Sequence, residues 1–129
     1  MLAIEQTTGR GVPGGADTAA PPIDLAHLAR YTLGNRALDR EILELFAGQA
    51  PQTIERLRAA ETARQWHEAA HTMKGSARAV GAFALADLAE TVERTHVWQS
   101  PAGKAAAIAA IEASFEAARA FIDALPILA

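Results

Sequence analysis

From Leu38 to Leu57 the apolar side chains return at three- and four-residue steps, and nowhere in the chain do they alternate. Leu38, Ile42, Leu45, Phe46, Ile54 and Leu57 recur this way, with Gln49 and Thr53 filling the remaining steps. A second run, Ile108, Ile111, Phe115, Ala118, Ile122 and Leu125, repeats the pattern without a break. That spacing places each set on one face of an α-helix, whereas a half-buried strand needs a period of two. The chain is therefore predicted to be all-α.

Punctuation between the stripes divides the chain. Asp24, after Pro21 and Pro22, is placed to cap a short helix LAHLARY that ends near Gly34. Asn35 is placed to cap the next helix, in which Pro51 should kink the axis or open the hydrogen-bond ladder. A third helix is predicted from about Ala63 to Val80, with Gly81 ending it. A fourth, from about Ala84 to Thr95, carries Leu85, Leu88 and Val92 on one face. Ser100 and Pro101 mark the cap and first position of the last helix. Short connections between long amphipathic helices point to an antiparallel four-helix bundle with a short leading helix, over residues 23–129. Residues 1–22 are rich in Gly, Pro, Thr and Ala and read as a flexible N-terminal tail.

Composition narrows the classes of function. The 129 residues suffice for one domain with a real core. A net charge of -3 speaks against nucleic-acid binding, which usually needs a basic face. No apolar run approaches the ~20 residues that cross a bilayer. The first residues lack the basic and apolar regions of a signal peptide. With no cysteine there is neither disulfide nor thiolate metal site. The expectation is a cytoplasmic, monomeric helical domain that engages neither nucleic acid nor membrane.

The chemistry is concentrated in WHEAAHTMKGSARAVGA, Trp66 to Ala82. On a helical wheel, Trp66, Ala69, Met73, Ala77 and Val80 gather on the core side. His71 falls at the middle of the polar face, close to Arg64, His67, Glu68, Lys74, Gly75 and Arg78. Gly75 stands one turn from His71 where any side chain would shade the ring. A mid-helix glycine costs about 1 kcal/mol relative to alanine, which this chain uses freely, so clearance there must serve an approaching partner.

Two chemistries compete for His71. HEAAH, His67 to His71, fits the H-E-x-x-H pattern of zinc peptidases, with Glu68 as general base and Glu90 or Glu93 as a conceivable third ligand. Lys74 and Arg78 on the same face would repel the dication, and such enzymes hold substrate along a sheet edge that this chain lacks. Phosphoryl transfer uses more of the residues. A neutral imidazole is a good nucleophile near pH 7, since its unperturbed pKa is ~6.5. Lys74, a mobile cation with three donors, suits an incoming phosphoryl group. No nucleotide-binding glycine loop is present, so the phosphoryl donor must be another protein.

The segment AHTMKGSARAVGAFALADLAETVE, Ala70 to Glu93, resembles the signature of histidine-containing phosphotransfer domains, A-H-x-L-K-G-S-[AS]-x-x-[LV]-G-A followed by a further helix. A looser likeness extends from about Ile23 to Leu125. Met73 stands in place of the usual leucine, on the core side. The resemblance implies a four-helix bundle without an ATP site of its own, in which His71 is phosphorylated on Nε2. Lys74 would assist at the phosphate, Gly75 would admit the partner and Ser76 would serve packing. The implied partners are response-regulator receiver domains and a hybrid histidine kinase, with Mg²⁺ carried by the receiver and no metal or other cofactor held by this chain. His67, Glu68 and Arg78 are candidate contacts at the rim. The rival from another class is a helical adaptor that binds a receiver or kinase without carrying phosphate.

Overall fold

The computed structural model of the chain describes residues 20–126, and among these there is no strand. The predicted tail, 1–22, falls almost wholly outside the described residues. Five α-helices follow one another: α1 Leu25–Thr32, α2 Arg36–Ala59, α3 Ala63–Ala79, α4 Phe83–Arg94 and α5 Pro101–Asp123. A 3₁₀ turn, Val97–Gln99, occupies the break before α5.

Side-chain caps start four of the five helices, α4 being the exception. Asp24 accepts the His27 N–H at 3.1 Å and Asn35 accepts that of Leu38 at 3.0 Å. Thr62 caps α3 through Gln65 N–H, while the Gln65 side chain reaches back to Glu61 N–H at 2.7 Å. This reciprocal arrangement is a variant of the capping box. Ser100 caps α5, with Pro101 at the first helical position as the sequence suggests. α2 continues through Pro51 without interruption of its helical assignment.

α2 packs on α3, α3 on α4, and α5 closes against both α2 and α4; α1 leans on α2. The interior is filled by Leu43, Phe46, Ile54 and Leu57 from α2, Trp66 and Met73 from α3, Leu85 and Val92 from α4, and Ile108, Ile111, Phe115 and Ile122 from α5. Phe46 and Phe115 meet edge to face at 5.9 Å between centroids, a contact that adds ~0.5–1.5 kcal/mol to plain burial. The buried alanines Ala70 and Ala77 of α3 and Ala86 and Ala89 of α4 let helix backbones approach closely. Trp66 donates its indole N–H to the Val92 carbonyl at 3.2 Å and fixes α3 against α4. Lys104 reaches back from α5 to the carbonyls of Arg58 and Ala60, at 2.9 and 2.8 Å, and so satisfies orphan acceptors at the end of α2.

The stripe predicted on α2 needs correction. Phe46, Thr53, Ile54 and Leu57 are buried, but Leu45 is 58% exposed, Leu38 is 38% exposed and Gln49 is exposed. Leu43 and Ala50 take the interior positions instead. The apolar arc of α2 is wider than its buried arc, and packing against α3 and α5 selects the side centred on Leu43 and Ala50.

Gly81 ends α3 in the left-handed region, with φ +84°. It also accepts Asp24 N–H through its carbonyl at 2.9 Å, and a Cβ there would sit 2.7 Å from the Asp24 carbonyl oxygen. Both its φ and the close approach of the leading segment demand glycine.

Candidate functional site

α3 and α4, joined by the tight turn at Gly81, carry the site. The core side of α3 is as expected: Trp66, Ala69, Met73 and Ala77 are buried, with Val80 at the cap. His71 consequently projects outward, its side chain 69% exposed.

The ring is held from behind. His71 Nδ1 lies 3.1 Å from Glu93 Oε2, and Lys74 Nζ lies 2.7 Å from Glu93 Oε1. One α4 carboxylate thus joins two α3 side chains. The hydrogen bond from Lys74 holds the Glu93 carboxyl below its ordinary value; partial burial opposes this shift, and the contact with His71 reinforces it. An ionised carboxylate only accepts hydrogen bonds, so Nδ1 carries the proton and donates. In the neutral ring Nε2 is then the nitrogen with the lone pair, and among the described residues it has no hydrogen-bond partner. Such an arrangement can supply an oriented nucleophile.

Lys74 is not the mobile cation suggested by its spacing. Its side chain is only 16% exposed and is tied to Glu93. Gly75 lies as expected: a Cβ built there meets nothing within 4 Å, so neither packing nor backbone geometry requires glycine. Ser76 is half-buried and donates to the Met73 carbonyl at 3.3 Å. Of the rim candidates, Arg78 pairs with Glu90 at 3.3 Å and Glu68 with Arg64 at 3.0 Å, both on the exposed surface. His67 differs from them, being half-buried with Nε2 enclosed and unpartnered among the described residues.

An open groove of about 730 Å³ runs beside the ring, lined by His67, Glu68, His71 and Thr72 of α3, Arg56 of α2 and Glu93 of α4. Among the described residues, no three His, Cys, Asp or Glu side chains are grouped to hold a metal ion, so HEAAH acquires no third ligand from Glu90 or Glu93.

Sequence reasoning placed Glu93 only as a conceivable metal ligand and missed its contact with His71. A signal existed, because Gly81 lies near the midpoint of the 22-residue separation between them. A hairpin turning there brings the two positions to the same level.

These features define an all-α protein that presents one oriented imidazole to solvent. A family model described as Hpt domain matches residues 41–125, and the chain belongs to that family. Its members serve histidine phosphotransfer in two-component signalling, as phosphocarriers that engage receiver domains and histidine kinases. A search of curated proteins gave no match, and neither did a search of solved structures. No helix among the described residues is long and apolar enough to cross a membrane.

Proposed function

We propose that this chain is a phosphorelay intermediate in which His71 accepts a phosphoryl group from the aspartate of one receiver domain and passes it to another. The observation that carries this reading is the ring of His71, gripped through Nδ1 by Glu93 and facing solvent beside the open position at Gly75.

The Nε2 lone pair attacks the phosphorus of the receiver's aspartyl phosphate. The bond from phosphorus to the aspartyl oxygen breaks, and the aspartate leaves as a carboxylate. The new Nε2–P bond makes a phosphoimidazolium whose Nδ1–H stays on Glu93. Transfer onward reverses these bonds on a second receiver. A Mg²⁺ held by the receiver would offset charge on the phosphoryl oxygens, and Lys74 would add to this only by exchanging its contact with Glu93 for one with the phosphate. His67, Glu68 and Arg78 form the rim.

The reading includes an antiparallel four-helix bundle over residues 23–129 led by the short α1, a tail over 1–22, and a monomer working in the cytoplasm. The closed sequence of packed pairs α2–α3–α4–α5 and the short connections between them support the bundle.

His71→Gln tests the assignment, since glutamine keeps polarity and size but has no ring nucleophile. Acid-labile labelling by a phosphorylated receiver should disappear while helicity by circular dichroism is retained. Undiminished labelling of the folded variant would remove His71 from the reaction.

A further inference from the structure

The two nitrogens of an imidazole aim their outward bonds in widely divergent directions, more opposed than parallel. Nδ1 of His71 is turned to Glu93 of α4, so Nε2 and whatever it carries point away from α4. Lys74 stays with Glu93, on the Nδ1 side of the ring. On the wheel of α3, Lys74 lies ~60° to one side of His71 and Thr72 lies ~100° to the other. Since Lys74 meets α4, Thr72 looks towards α2, the other long helix packed on this one. On that flank the groove beside the ring is lined by Thr72 and by the guanidinium-bearing Arg56 of α2.

Most cations near the ring are already committed. Arg64 pairs with Glu68, Arg78 with Glu90 and Lys74 with Glu93. Farther round α2, Arg58 engages Glu55 and Glu112. Arg56 is exposed and enters no ion pair among the described residues.

We infer that Arg56 grips the phosphoryl group carried on Nε2 of His71, from the flank opposite Lys74. This rests on the phosphotransfer reading above and adds a residue of a second helix to the site. The connection from α2 to α3 is centred near Glu61, so Arg56 stands at about the level of Trp66, ~7.5 Å along the axis from His71. With ~8–10 Å between packed axes, the two backbones are roughly 12 Å apart at these positions. The long arginine side chain spans much of that gap, and the imidazole with its phosphoryl group projects into the rest. The guanidinium presents a planar fork of donors that matches two phosphoryl oxygens, a charge-assisted pairing stronger than neutral hydrogen bonds. The anions of the groove do not occupy Arg56 first, because Glu68 is held by Arg64 and Glu93 by Lys74. Arg56 also stands in the last turn of α2, where any cation complements the helix dipole. That role needs charge alone, whereas a grip on two oxygens needs the fork.

Arg56→Gln and Arg56→Lys, with Arg119→Gln on α5 as a control of equal charge change, test the inference in the full chain. One probe is phosphoramidate, a small donor whose P–N bond breaks and releases ammonia as Nε2 takes the phosphoryl group. The other is whichever phosphorylated receiver domain transfers fastest to the wild-type chain. Arg56→Gln should lower kcat/KM at least fivefold with both donors and should move the ³¹P resonance of phosphorylated His71, which charge at a helix end alone would leave in place. Arg56→Lys keeps the charge without the fork and should recover part of the rate. Arg119→Gln should keep wild-type rates, and all three variants should keep wild-type helicity. Wild-type phosphoramidate labelling of Arg56→Gln, with an unmoved resonance, overturns the grip and leaves the phosphotransfer reading standing. A loss confined to the receiver donor makes Arg56 a contact of the partner protein and overturns the grip too. A wild-type chain labelled at His71 by neither donor removes both readings.

Discussion

The carboxylate of Glu93 touches the ring of His71 at 3.1 Å from a helix that begins only after α3 has ended and turned. Its other oxygen is occupied by Lys74 at 2.7 Å. The hold on the His71 ring and the restraint of Lys74 therefore depend on one side chain.

Replacing Glu93 separates these roles. Glu93→Ala frees the His71 ring and leaves Lys74 unpaired, and phosphotransfer should fall about tenfold, equivalent to ~1.4 kcal/mol in the barrier. Glu93→Gln retains an oxygen acceptor for Nδ1 and should lose less. Quenched-flow transfer from one phosphorylated receiver ranks the three proteins; equal rates would show that the ring needs no hold.

The same residue makes an acid-dependent contribution to stability. Its folded-state carboxyl titrates below the ordinary value of 4.5, principally because of Lys74. A depressed carboxylate stabilises the folded state fully above its unfolded pKa, and this contribution is lost as pH falls through the folded value. The melting temperature of wild type should therefore drop towards that of Glu93→Gln as pH is lowered from above 4.5 into the range below it. A constant difference between the two proteins across that window would contradict the pairing.

Gly75 separates access from folding. Gly75→Ala should leave stability unchanged or raised by about 0.4–1 kcal/mol, since the added Cβ meets open space in a helical conformation. Gly75→Gln should also fold, yet it places a long side chain one turn above a ring that a donor must approach to about 3–3.5 Å. Transfer should fall at least tenfold for glutamine and much less for alanine. Wild-type transfer by the Gln variant would refute clearance as the purpose of the glycine.

Gly81 behaves oppositely. Alanine there combines a left-handed φ with a Cβ 2.7 Å from the Asp24 carbonyl oxygen, and urea unfolding should show a loss of about 1–3 kcal/mol. A neutral result would mean that the leading segment yields without cost.

The helices were largely legible in the sequence because their caps and stripes are local. Asn35, Ser100 and Pro101 start helices where their chemistry says they should, and every apolar position expected on α3 is interior. The face shared by His71, Lys74 and Gly75 followed from the same periodicity. The choice between adjacent stripes on α2 did not, because Leu43 and Leu45 are equally apolar and only the neighbouring helices decide which is enclosed. The restraint on Lys74 was hidden for a similar reason: its partner is brought to it by the hairpin.

The matched span begins at residue 41, but the hydrogen bond from Asp24 to Gly81 joins the turn between α3 and α4 to the chain well upstream of that point. Ile23, beside it, is fully enclosed. The leading segment thus acts as a doorstop against the hinge of the very hairpin that aligns His71 with Glu93. A chain trimmed to the matched span would keep both His71 and Glu93 and lose the contacts that Ile23 and Asp24 make against that turn. The mechanical boundary of this domain therefore lies earlier than the boundary drawn by likeness.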